Sequence, residues 1–215
     1  NMLMNYLRIG IATFVYLAPV ALFIICTFIG VKFLVKRKFE FKPMKLLCEF
    51  AWILTVLAIL KITGIIGGDF STTSIFNGDA HISFSLFEEG LSMATLLNVI
   101  LFVPFGFFLP LLYKKYHHIK TVVLTGFLFS LSVEIVQMFG WGSTDINDLI
   151  TNTVGVCLGY LVYYLLSKVL PNNLRKQFQS ENVNDMVEVP LFAIYTFIIM
   201  VTVQPWVIHS LLNIG

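Results

Sequence analysis

Charge is what this sequence has least of. Only 12% of its 215 residues are Asp, Glu, Lys or Arg, 58% are hydrophobic, and the mean hydropathy is +0.87, whereas soluble domains carry roughly 25% charged residues. A soluble globular fold is excluded. The 14 basic and 12 acidic residues leave a formal charge of +2, too small an excess for a polyanion-binding face, which argues against nucleic acid as a partner. Cysteine is scarce as well: Cys26, Cys48 and Cys157 all fall inside apolar runs, and an odd number of such thiols cannot build a full disulfide framework. They read as packing residues. Several chemical signatures are missing too. The chain has no intramembrane Gly-x-Ser-x-Gly, no His-Glu-x-x-His, no Cys pair and no Gly-rich loop ending in Lys-Ser or Lys-Thr, so serine-protease, zinc-protease and nucleotidase mechanisms lose support and no cofactor or metal is expected. Neither an inverted repeat nor a low-complexity tract is present.

What is present is apolar length. Runs of roughly 20 residues are what a helix needs to cross a bilayer, and they lack the alternation of a barrel strand. The runs are Ile9–Val35, Leu46–Ile66, Leu96–Tyr113, Thr121–Phe139, Leu149–Leu170 and Val189–Leu212. The expected fold is therefore an all-α polytopic membrane protein of about six transmembrane helices. The first run is too long for a signal-peptide core and reads as a span. Residues 1–45 form the first span with a basic loop, 46–170 a core of four spans, and 171–215 a connector with the last span.

Basic residues set the orientation, because short cytoplasmic connections collect them. Lys36, Arg37, Lys38, Lys42 and Lys45 follow the first run, Lys114, Lys115 and Lys120 the third, and Lys168, Arg175 and Lys176 the fifth. The alternate connections, Gly67–Thr95 and Gly140–Asp148, contain neither Lys nor Arg and instead hold Asp69, Asp79, Glu88, Glu89, Asp145 and Asp148. Both termini are thus expected on the outer side of the membrane, with an acidic outer face. Within the first outer connection, Phe70–Phe76 and His81–Phe87 flank Asn77-Gly78-Asp79. That pattern reads either as a small extracellular β-hairpin between helices two and three or as an irregular loop.

Ionisable groups inside spans are functional candidates, since a charge at mid-bilayer costs about 2.5–3.5 kcal/mol on insertion scales. Ser130, Glu134, Gln137 and Trp141 recur at helical spacing and share one face in the outer half of the fourth run. Asp145, Asp148, Asn152, Gly155 and Gly159 make a second stripe, acidic outside and ending in glycines that admit a close neighbour. Capping of a helix start is the plainer reading for Asp145 and Asp148. The third run adds Asn98 and then Pro104 and Gly106, where the missing amide frees the Ile100 carbonyl; this would shape a cavity or serve packing alone. Lys61, at nearly the depth of Glu134, is the expected ion-pair partner, with outward snorkelling as the alternative. Glu49 is expected to snorkel to the inner headgroups. His117, His118 and His209 read as surface residues, and His81 could reach the acidic cluster.

Three ordered blocks then carry a resemblance: Asn98-x3-Phe102-x-Pro104-Phe105-Gly106-Phe107, Ser130-x3-Glu134-x2-Gln137, and Asp145-Ile146-Asn147-Asp148-x3-Asn152-Thr153-x-Gly155-x3-Gly159-Tyr160. Over about Leu96 to Leu170 the chain resembles the VanZ-like family of membrane proteins. That family often has an Arg shortly before its Asp-rich turn and an Asp where Asn147 stands; here Gly142-Ser143-Thr144 precede Asp145, so no anion-binding role is carried over from that Arg. The resemblance implies lowered susceptibility to teicoplanin and lipoglycopeptides, which is a phenotype rather than a reaction. On the residues themselves, Glu134, Asp145 and Asp148 are the candidate catalytic carboxylates, and Asn98, Gln137, Asn152, Lys61, Ser130 and Trp141 the candidate ligand-binding groups. Three function classes stay open. The first is a protein binding membrane lipid, a cell-wall lipid precursor or the lipoglycopeptide. The others are an enzyme using carboxylate acid–base chemistry on a lipid headgroup and a small proton- or cation-coupled transporter. A divalent cation on Asp145 and Asp148 would be compatible with any of them.

Overall fold

A computed structural model describes residues 17–27, 29–30, 42–65, 81–83, 93–140, 143–179, 189, 191, 194–196 and 198. Trp141, most of the expected hairpin, and nearly all of the last apolar run lie outside them. In chain order the elements are α1 (Leu17–Thr27), α2 (Pro43–Ile62), β1 (His81–Ser83), α3 (Met93–Leu112), a single 3-10 turn (Lys114–Tyr116), α4 (Ile119–Gly140), β2 (Ser143–Asp145), α5 (Ile146–Val169) and α6 (Asn172–Phe178). The architecture is helical. Among the described residues, three helices are long and apolar enough to cross a membrane, over Thr95–Leu112, Ile119–Met138 and Ile146–Val169. In hydrocarbon a helix alone satisfies its own amides and carbonyls within one segment, which is why uncharged runs of this length take that form.

The helix ends follow local chemistry. Pro43 opens α2, where its missing amide costs no intrahelical bond. Past the far end of α2, Gly64 takes the left-handed conformation at φ 77°, which a Cβ would disfavour. Asp145 caps α5, its carboxylate accepting from the Asn147 amide at 2.9 Å, so the capping reading holds for this residue.

The closest packing in the fold joins α3 to α5. A Cβ added at Gly106 would collide with the Val156 carbonyl, one at Gly155 with the Val99 carbonyl, and one at Gly159 with the Val103 carbonyl. The paired positions advance together along both helices, so α3 and α5 run parallel. Glycines four apart on α5 therefore meet carbonyls four apart on α3, the backbone approach expected of small residues in a membrane interface. α3 remains helical through Pro104 and a second internal proline, Pro110.

Aromatic side chains fill the space where α2, α3 and α4 meet: Phe105 stacks on Phe129 with ring centroids 5.0 Å apart, and Trp52 lies 6.2 Å from Phe105. α5 turns its other side outward, exposing Val154, Leu158, Leu161 and Leu165, a surface suited to lipid. Segments from the two ends of the chain also meet, through a 2.6 Å bond from the Tyr195 hydroxyl to Thr27.

β1 does not stand alone in its connection. It pairs with β2 in parallel, with His81 opposite Ser143, Ile82 opposite Thr144 and Ser83 opposite Asp145. Each strand precedes one of the two parallel helices. The short ladder therefore ties together the segments that enter α3 and α5.

The cysteines are free, and Cys26 is exposed rather than packed inside. Its helix turns that position outward, so an apolar run alone does not imply burial within the protein. Glu49 is also unlike its expectation. It is buried at 7% exposure and paired with Lys45 one turn back at 3.4 Å, which removes its need to reach the headgroups.

Candidate functional site

Antiparallel alternation brings the start of α3, the end of α4 and the start of α5 to one end of the bundle. The polar stripes of the sequence converge there. Asn98 on α3 donates from Nδ2 to Asp148 Oδ1 on α5 at 2.6 Å, a short distance typical of a charge-assisted bond. One turn deeper, Asn152 donates from Nδ2 to the Ser130 hydroxyl on α4 at 2.9 Å. Ser130 is 0% and Asn152 2% exposed, and Asn152 Oδ1 is buried without a hydrogen-bond partner.

Glu134 is the most enclosed carboxylate of this cluster, at 3% exposure. Its Oε2 accepts from the Asp145 amide at 3.3 Å. Its own backbone carbonyl, six residues before the end of α4, accepts from the Thr144 hydroxyl at 3.0 Å. The end of α4 is thus fastened to β2 through two consecutive residues, Thr144 and Asp145. Asp145 in turn bonds back to the first turn of α5. These contacts hold three carboxylates around a single helix start, where the free amides and the helix dipole favour negative charge.

The stripe on α4 divides between two neighbours. Ser130 and Glu134 face α5 and β2, whereas Gln137 donates to the Thr63 carbonyl beyond α2 at 2.9 Å. The turn at Gly64 ends that helix and leaves late carbonyls without intrahelical donors, and Gln137 supplies one.

Of the two expectations for Lys61, its exposure beside a buried Glu134 fits outward snorkelling better than a buried ion pair. Equal depth fixes the level of a residue along a helix but not the side it faces. Gly106, Gly155 and Gly159 stand beneath the polar cluster, in the α3–α5 seam, and Pro104 lies within α3. His81 reaches the same end through the backbone ladder of β1. No group of three or more His, Cys, Asp or Glu arranged to hold a metal occurs among the described residues.

Two contributors lie outside the sequence expectations. Thr144 acts through its hydroxyl, and the β1–β2 ladder acts through the backbone alone; a Ser-Thr-Asp run before a helix is the usable sequence sign of the first, and the alternation from His81 marks one strand of the second but not its partner. The opposite end of the bundle is also better organised than a surface loop. The His117 carbonyl accepts from the Tyr160 hydroxyl at 2.7 Å, its Nε2 lies 2.9 Å from Gln179 Nε2, and its ring packs against Tyr163 at 5.8 Å.

A family model described as VanZ/LLP1 matches residues 14–167. A relative described as Protein VanZ, from Enterococcus faecium, is 43% identical over 72 residues. That match takes in 33% of this chain and 44% of the relative, so the chain spans less than half of the relative's length. No solved structure matches the chain significantly.

Proposed function

The chain belongs to the VanZ/LLP1 family, and from that premise we propose that it lowers the susceptibility of a bacterial cell to teicoplanin and lipoglycopeptides through its acidic end. In this reading the protein is a multi-pass component of the plasma membrane, with six spans, both termini outside and the acidic end facing the outer leaflet. That is the level at which cell-wall lipid headgroups are exposed. The observation that carries the reading is the convergence of Asn98, Ser130, Glu134, Asp148 and Asn152, drawn from three sequence blocks, onto one end of the bundle.

The chemistry of the cluster narrows the ligand. Its carboxylates are acceptors, and Asn152 offers a buried acceptor without a donor. A phosphate would meet like charge there, and a group presenting ammonium, amide or hydroxyl donors would not. An envelope lipid, a cell-wall precursor or the drug qualifies through such donors. The second reading, an enzyme acting on a lipid headgroup, draws on the unequal surroundings of two neighbouring carboxylates, Glu134 buried and Asp148 half-buried. Paired carboxyl groups in unlike environments are how acid and base roles are divided.

The two readings separate in one comparison. Cells expressing wild type, Glu134→Gln or Asp148→Asn at equal levels are analysed for envelope-lipid composition and for small molecules that co-purify with the protein. Binding predicts unchanged composition and a donor-bearing molecule retained by wild type and lost from both variants. Catalysis predicts a composition change in wild type that both variants abolish. Identical lipids and identical co-purified molecules in all three would refute both.

A further inference from the structure

At the end of the bundle opposite the carboxylates, α6 lies across α2 and α3. Gln179, just past α6 and 3% exposed, fastens this segment to His117 at 2.9 Å. Arg175, on the same short helix, is partly buried, and its Nε is enclosed without a hydrogen-bond partner. A buried guanidinium nitrogen in that condition calls for an acceptor, because charged groups that lose water without gaining a partner are costly.

Among the described residues the surroundings supply no anion for it. Lys114, Lys168 and Lys176 stand at this end, with the Lys168 ammonium 4.4 Å over the Tyr164 ring. Glu49, the described acid nearest the start of α2, is taken by Lys45. Burial and then the charges of Arg175, Lys114 and His118 hold the His117 imidazole below its ordinary pKa. The Tyr160 hydroxyl is spent on the His117 carbonyl. Alongside these cations, Val169 and Leu174 are exposed apolar side chains, the neighbours an acyl chain would require.

We propose that this basic end binds a phosphate-bearing lipid headgroup, with the Arg175 guanidinium as the principal donor and Lys114 as surrounding charge. Guanidinium suits the task because its planar fork matches phosphate oxygens in pairs, and basic pockets at the ends of membrane helices recognise anionic lipid in this way. The ligand chemistry is the opposite of that inferred for the acidic end. The proposal does not depend on that reading.

The test uses the full chain purified in detergent, with its melting temperature followed on addition of phosphatidylglycerol, phosphatidylcholine or inorganic phosphate. Wild type should be stabilised several degrees more by phosphatidylglycerol than by phosphatidylcholine, and not by inorganic phosphate. Arg175→Gln should lose most of that difference, whereas Lys176→Gln, which removes an exposed charge from the same helix, should keep most of it. Arg175→Lys retains the charge without the fork and should retain less than wild type, so it carries the test if Arg175→Gln does not fold. Equal stabilisation by the two lipids, or an Arg175→Lys protein that responds like wild type, would overturn the proposal. Inorganic phosphate reproducing the whole effect would overturn the lipid assignment in favour of a soluble anion.

Discussion

At one end of the bundle the charged groups are met by donors of the protein itself: Asn98 serves Asp148, the Asp145 amide serves Glu134, and the Asn147 amide serves Asp145. At the other end, the cation Arg175 keeps a buried nitrogen without an acceptor, and the hydrogen bonds run instead among neutral groups, Tyr160, His117 and Gln179. Both ends are hung on the same α3–α5 glycine seam, yet at the acidic end the carboxylates are met and it is a neutral atom, Asn152 Oδ1, that lacks a partner, whereas at the basic end it is a cation. The difference teaches that one helix seam can carry two unlike polar arrangements, so helix packing alone does not dictate them.

Breaking what the two ends share should have the largest effect. Gly159→Leu places a side chain against the Val103 carbonyl, and overpacking costs about 1–3 kcal/mol and sometimes more. Both ends should fail together, with little folded protein in detergent by size-exclusion chromatography. A well-folded variant would mean the seam is not what joins them.

Breaking the acidic end alone should come next. Asn98→Ala removes the donor to Asp148, and bonds to charged groups contribute about 1.5–3 kcal/mol. The loss should appear as a lower melting temperature, with the response to added lipid unchanged.

Acidification tests the other end. His117 has a lowered pKa in the folded protein, so the unfolded chain binds its proton more readily, and stability should fall as pH drops below the ordinary value of 6.5. His117→Gln should remove that part of the slope between pH 7 and pH 5 (about the range in which an imidazole titrates). An unaltered slope would show that His117 does not titrate with folding.

The smallest expected effect concerns Lys61 and Glu134. Since Lys61 is exposed and Glu134 buried, the stability changes of Lys61→Met and Glu134→Gln should add within about 0.3–0.5 kcal/mol. A larger coupling in the double variant would restore the pairing that their similar depth suggested.

Much of the acidic end was legible because helical spacing alone assigns residues to a face. Ser130, Glu134, Asp148 and Asn152 recur every three or four positions, and a polar face in an apolar helix must find a neighbour. The glycines at 155 and 159 announced that neighbour without naming it; Val99 and Val103 of α3 answer through backbone carbonyls, which carry no sequence signal. The same blindness hid the Thr63 carbonyl that receives Gln137. The β1–β2 ladder pairs strands about 60 residues apart through main-chain groups; the alternation from His81 marked a strand, but its partner β2 is three residues long and has no period to detect. Depth alone left Lys61 between an ion pair and outward snorkelling, because it says nothing of rotation about the helix axis. His117 was read as surface because its partners, Tyr160 and Gln179, come from other segments.

The central claim is that function resides at the acidic end, and fluorescent teicoplanin bound per cell addresses it most directly. The comparison is made across an expression series of wild type, Glu134→Gln, Asp148→Asn and the opposite-end control Lys115→Gln, each verified as folded and present in equal amount. The account predicts that wild type and Lys115→Gln reduce drug binding alike, while both carboxylate variants leave it near the level of cells lacking the protein. Glu134→Gln and Asp148→Asn proteins that reduce drug binding as fully as wild type would contradict it.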